Sequence, residues 1–238
     1  MLEKFLYKMF LFLKVIRVAF IARSNREFYD RISDIYDKLF TSHAIHIEKI
    51  VSLLKSVHPG RNCAILDLGC GTGMLSNALE NKGFRVIGVD ISFESLRVLK
   101  KTNPRVPLIN GHAESLAFSD RSFHALVCLG VWRHFIQLEV ILDEIGRVLK
   151  KDAIFILGYF PPKLGGIFYV PENYWGRIMV ILYNTIIHRL GYDDRIDFDL
   201  EKRTFRAITK RFASIIRIDS GHHWYLILAV MCNQRSSS

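Results

Sequence analysis

Between Cys63 and Leu157 the chain alternates short apolar runs with segments whose apolar residues recur every three to four positions. Cys63–Leu68, Arg85–Asp90, Val106–Asn110, His124–Leu129 and Ala153–Leu157 read as strands, and Met74–Asn81, Phe93–Lys101 and Leu138–Leu149 as helices. Near-continuous apolar strands separated by amphipathic helices predict a parallel sheet covered on both faces. Upstream, Arg26–Lys38 and His43–Val57 predict two helices joined near Phe40–Ser42. His58-Pro59-Gly60 ends the second, because neither Pro nor Gly continues a helix well.

After Leu157 the rhythm changes. Gly158–Gly191 is aromatic and apolar, broken by Pro161, Pro162, Gly165, Gly166 and Pro171, with an apolar helix expected over Trp175–Leu190. A basic helix follows over Leu200–Phe212, then strands near Ile215–Asp219 and Trp224–Met231 and a polar tail, Asn233–Ser238.

Residues 1–22 are rich in Leu, Phe, Ile and Val, but Lys4, Lys8, Lys14 and Arg17 interrupt every apolar run and no small-residue cleavage site follows. At about 100° per residue, Glu3 and the four basic residues share one half of the helical wheel. Phe5, Met9, Phe12, Leu13 and Ile16 occupy the other. Such a basic amphipathic helix either lies in a membrane interface or packs on the domain or on a second subunit, with a transit peptide as a third reading. The expected division is a helix over 1–23 and one domain over 24–238, with 158–191 as an apolar insertion.

Composition changes this picture little. The 238 residues are half hydrophobic, enough for one sizeable core. The formal charge of +10, from 33 basic and 23 acidic residues, favours anionic partners, either a lipid surface or nucleic acid. Cys63, Cys70, Cys128 and Cys232 form no CxxC pair, so neither a zinc site nor a disulfide scaffold is indicated and a reducing, cytoplasmic setting is expected. His43 and His46, three apart without nearby partners, read as helix surface and not as metal ligands.

The chemistry concentrates in Ile65-Leu66-Asp67-Leu68-Gly69-Cys70-Gly71-Thr72-Gly73. A buried strand runs into three alternate glycines, which let a ligand approach the main chain closely. The spacing departs from the dinucleotide fingerprint: Met74 or Ser76 stands where its third glycine would be. No Lys-Ser/Thr pair makes a phosphate loop, so the turn suits a nucleoside lacking a pyrophosphate. Asp90 ends the strand Val86-Ile87-Gly88-Val89, 23 residues after Asp67, where a carboxylate can accept from both ribose hydroxyls. Its competing role is to cap the next helix, which Ser92 can also do.

These motifs resemble the class I S-adenosylmethionine (SAM)-dependent methyltransferases, especially the branch acting on quinones, lipids and other small molecules. The resemblance covers roughly Tyr29–Leu157. It includes Tyr29-Asp30, Tyr36-Asp37, Asp67–Gly73, Asp90, His112–Phe118, Ser122-Phe123, Val131–His134 and Arg147–Lys150. It implies a Rossmann-like α/β fold: a seven-stranded, mostly parallel sheet of order 3-2-1-4-5-7-6, helices on both faces and an N-terminal helical extension. It implies SAM as cofactor, with Gly69, Gly71 and Gly73 under the methionine portion and Asp67 holding the ammonium. Asp90 would meet the ribose, His112, Ala113 and Glu114 the adenine end, and Leu129 the methionine portion, with Ile91 also among the cofactor-binding residues. Tyr29 or Tyr36 would close the pocket or simply pack in the core.

The sequence departs from the pattern at His112, where the family usually has an acid; a neutral imidazole can still accept from the adenine amino group. His124 replaces an acid at a strand start and reads as structural, and Lys151-Asp152-Ala153 replaces a glycine pair. Methyl transfer from a sulfonium needs alignment, exclusion of water and, for a hydroxyl acceptor, a base. His134 is the candidate base, or it merely lines the pocket; Trp132 and Arg133 are either substrate-side or packing residues. The apolar insertion either suits a quinone, polyprenyl or lipid acceptor, worked on at or near an anionic membrane surface, or is a lid over an ordinary small molecule. The alternatives are an RNA methyltransferase using Lys202, Arg203, Arg206, Lys210 and Arg211, or a non-catalytic SAM-binding protein.

Overall fold

The computed structural model describes residues 2–39, 43–58, 63–159, 200–212, 214–219 and 225–230. Seven strands form one sheet: β1 Ala64–Leu68, β2 Arg85–Asp90, β3 Leu108–Asn110, β4 Phe123–Leu129, β5 Leu149–Tyr159, β6 Ser214–Asp219 and β7 Tyr225–Val230. Their order is β3-β2-β1-β4-β5-β7-β6, as expected. The pairs from β3 to β5 are parallel, and β7 runs antiparallel to both β5 and β6.

Strand parity explains the continuous apolar runs. Leu66, Leu68, Leu126, Cys128, Phe155 and Leu157 join one core with helix α7 (Leu138–Val148) and helix α8 (Leu200–Arg211). Their neighbours Ile65, Ala125, Val127, Ile154 and Ile156 join a second core with α4 (His43–Val57) and α5 (Met74–Asn81). Each central strand is therefore buried on both faces, which a period-two alternation of polar residues would forbid. Helix α6 (Phe93–Thr102) packs Leu96 and Leu99 on Cys70 and Leu108.

Three expectations change. The first long helix is two: α2 (Asn25–Ile32) stops at a turn where the Ser33 hydroxyl donates to the Asp30 carbonyl, and α3 (Tyr36–Leu39) resumes. Strand β5 begins at Leu149, directly after α7. Phe123 pairs with Leu149 and Ala125 with Ile154, and Asp152 takes a left-handed φ of 59° within the irregularity. His46 is buried, not on the helix surface as its spacing suggested.

Helix α1 (Leu2–Ile21) buries a different stripe from the one the wheel indicated. Leu11, Val15, Val18 and Ala19, with Ala22 beyond its end, pack on Phe28, Ile32 and Ile35. Met9, Phe12 and Ile16 are half-buried and Leu13 is exposed. Lys4 and Lys8 share the arc of buried Leu11 and Val15, so the positions of the charges did not mark the buried side. Of the insertion expected over 158–191, Gly158 and Tyr159 instead end β5, and residues 160–191 lie outside the described residues.

Candidate functional site

At the carboxyl ends of β1, β2 and β4 lies a cavity of about 360 Å³. The glycine turn forms its floor. The Gly69 and Cys70 amides both donate to the Val89 carbonyl, at 2.7 and 3.1 Å, which ties the turn to the end of β2. At Gly71, φ is 52° and a β-carbon would meet nothing within 4 Å, so the main chain is bare toward the cavity. Gly73 is different: it does not line the cavity but starts α5 with φ 92°, its α-carbon against buried Leu99.

Two carboxylates face this turn. Asp90 Oδ2 accepts from the Gly71 amide and Oδ1 from the Ser92 amide, both at 2.8 Å. The carboxylate is thereby fixed, with lone pairs left for further donors. Capping of α6 falls to Ser92, whose hydroxyl accepts from the Ser95 amide at 3.1 Å. Burial pushes the Asp90 carboxyl up, against the amides of Ser92, Gly71 and Ile91 that lower it, and the Asp30 charge adds to the rise. Asp67 is more deeply enclosed. Burial lifts its pKa to about 7, opposed by the Ser76 hydroxyl donating at 2.6 Å and reinforced by the nearby Asp90 charge. A cation beside Asp67 would relieve that cost.

The remaining sequence candidates are gathered here. Ile91, His112, Ala113 and Glu114 line one end, following β2 and β3. Leu129, the last residue of β4, and His134 beyond it line the other. Tyr29 and Tyr36 close it from the helical extension, and the Tyr29 hydroxyl lies 3.1 Å from His134 Nε2. Ile47, Met74, Val131 and Phe135 add apolar wall. Trp132 is a packing residue: it is fully buried, and its indole N–H donates to the Thr204 hydroxyl on α8 at 2.8 Å. His124 stands outside the cavity, its Nδ1 accepting from the Ala64 amide at 3.1 Å, with burial lowering its pKa.

Sequence reasoning missed two ties. Asp30 Oδ1 accepts from the Ser92 hydroxyl at 2.7 Å and from the Glu94 amide at 3.2 Å, and Asp37 accepts from the Thr72 hydroxyl. The signal was present in the repeated Tyr-Asp pairs, seven residues apart, which place both acids on one side of a helical path.

The model of the methyltransferase domain family matches residues 66–157. The chain is 37% identical to an uncharacterized protein of Methanocaldococcus jannaschii, over 55% of this chain and 49% of that protein. It is 33% identical to a demethylmenaquinone methyltransferase of Thermotoga maritima, over 57% of this chain and 61% of the relative. It thus spans less than two thirds of the length of these curated relatives. A solved 1,6-didemethyltoxoflavin-N1-methyltransferase of Burkholderia thailandensis, with S-adenosylhomocysteine bound, shares the fold with TM-score 0.58 at 18% identity, covering 87% of each chain. A Methanococcus maripaludis protein described as an S-adenosyl-L-methionine-dependent methyltransferase does so with TM-score 0.63 at 18% identity, covering 89% of this chain and 95% of that one. The glycine turn and its two carboxylates thus lie within residues 66–157, the stretch similar to the methyltransferase domain family, and the fold is shared with solved S-adenosyl-L-methionine-dependent methyltransferases.

Proposed function

We propose that this chain methylates a small apolar acceptor of quinone, polyprenyl or lipid type, at or near a membrane surface. The observation that carries the reading is the bare main chain at Gly71 facing the fixed carboxylate of Asp90 in a cavity with apolar walls. These residues fit a nucleoside sulfonium: an open floor, an acceptor pair for ribose hydroxyls and a buried acid for an ammonium group. SAM supplies the activated methyl when bound.

The chain's own residues do the rest. Asp90 orients the ribose, and ionised Asp67 pairs with the ammonium. His112, Ala113 and Glu114 border the adenine, and Tyr29 and Tyr36 exclude water from above. Ile47, Met74, Leu129, Val131 and Phe135 offer an apolar seat to the acceptor. Where the acceptor is a hydroxyl, its proton passes to His134 Nε2 through the Tyr29 hydroxyl bonded there, as the new bond to carbon forms. The Tyr29 hydroxyl at 3.1 Å fixes the ring orientation in this reading.

Support for a quinone-type acceptor comes from the demethylmenaquinone methyltransferases among the relatives. The RNA reading draws less from the fold, because Arg211 of the basic helix is committed to Asp143 at 2.7 Å and to Glu139. Calorimetry should detect SAM and S-adenosylhomocysteine binding that Asp90→Ala weakens by about a hundredfold, the loss of two charge-assisted hydrogen bonds. Radiolabelled methyl transfer to demethylmenaquinone in detergent tests the acceptor class. Tight NADH binding with no response to SAM would end the proposal.

A further inference from the structure

Helix α1 has two apolar faces, and the fold covers one. Leu11, Val15, Val18 and Ala19 are buried against α2 and the turn after it. On the far side Leu6, Phe10, Leu13, Phe20 and Ile21 are exposed, Phe10 by 63% and Phe20 by 64%. At the α-helical rotation these five share an arc of about 100°, and exposed Arg17 lies inside it.

We infer that this stripe docks on an anionic lipid bilayer. The inference rests on the membrane-surface part of the proposed function and assigns it to a face. Charge selects the occupant: the chain carries a net charge of +10, though Lys14 of α1 is paired with Asp34 at 2.7 Å and Lys4 and Lys8 fall on the side of the wheel away from the stripe. Arg17 selects it again. At a bilayer its stem lies among the apolar neighbours while the guanidinium reaches phosphate. Across a two-fold contact with a second copy, the same side chain would bury a charge in an apolar strip. The stripe exposes on the order of 600 Å², below the ~800 Å² per partner of a standard protein interface. No helix among the described residues is long and apolar enough to cross a membrane, so α1 lies along the surface. Because α1 shares a core with α2, whose Tyr29 lines the cavity, docking holds the cavity wall beside the phase that dissolves an apolar acceptor.

The test is flotation of the full chain with phosphatidylcholine vesicles, with and without phosphatidylglycerol, at low and high salt. Wild type should float with the anionic vesicles and release with salt. Phe10→Glu/Phe20→Glu should lower partitioning by at least about tenfold, with S-adenosylhomocysteine affinity unchanged. Arg17→Glu, which disturbs no buried side chain, should also lower it and keeps the test decisive if the double variant does not fold. Wild type that ignores anionic vesicles, or variants that float equally well, would overturn the inference. So would light scattering that finds a wild-type dimer made monomeric by the double variant, since a second copy then covers the stripe. Flotation intact in a chain that binds no SAM would instead sink the methyltransferase reading and leave the docking face standing.

Discussion

Replacing Asp67 by Asn should remove most of a pH dependence that the buried carboxyl imposes on the fold. Burial raises its pKa from 3.8 to about 7 in the folded chain. At about 1.4 kcal/mol per unit, keeping that group ionised costs roughly 4 kcal/mol of stability. The folded carboxyl holds its proton to a higher pH than the unfolded one. Its contribution is therefore whole below the unfolded value and is lost as pH rises through about 7. Asn keeps an oxygen for the Ser76 hydroxyl but cannot ionise. Urea unfolding at half-unit steps from about pH 5 to pH 9 should show the variant gaining on wild type by up to ~1.4 kcal/mol per unit, levelling near pH 8. Saturating S-adenosylhomocysteine, whose ammonium pairs with ionised Asp67 in the proposed reading, should flatten the wild-type slope and leave the variant unmoved. A stability difference constant across this range would refute the reasoning.

Two further substitutions separate floor from framework. Gly73→Ala puts a β-carbon 2.1 Å from Leu99 Cδ1 at a left-handed φ of 92°. It should cost roughly 2–4 kcal/mol by urea unfolding from strain and overpacking together, and a loss under about 0.5 kcal/mol would contradict the packing. Trp132→Phe removes the donor to Thr204 and part of a buried ring. It should destabilise by about 1–3 kcal/mol, while calorimetry finds S-adenosylhomocysteine affinity unaltered; weakened binding at full stability would return Trp132 to the site.

The sheet was legible because parallel strands buried on both faces leave continuous apolar runs, and the glycine turn and Asp90 announced the cavity at fixed spacing. What stayed hidden depends on partners distant in sequence. Nothing local to Trp132 reveals Thr204, 72 residues away, so packing and substrate roles stayed equal until the fold joined them. The buried side of α1 was misjudged because its five charges spread over half the wheel and Lys4 and Lys8 share the arc of Leu11 and Val15; only the complementary stripe Phe28, Ile32 and Ile35 decides. Gly73 looked like ligand-facing floor because its neighbours at even spacing are, yet its place at the start of α5 turns it into the wall behind.

The helices from Leu2 to Leu39 keep a hydrophobic cluster of their own, distinct from the two that sandwich the sheet. Asp30, Asp37 and Tyr29 fasten them across the cavity to Ser92, Thr72 and His134. Links of this kind exchange with water at little net expense, whereas separating the sheet from its helices exposes apolar surface. Amide protons in α2 should therefore exchange through openings that leave β1 and β4 protected, and a bound nucleoside beneath Tyr29 and Tyr36 should slow exchange there first. In the proposed reading, the cap formed by the helices from Leu2 to Leu39 opens for product release while the sheet keeps the glycine turn in shape.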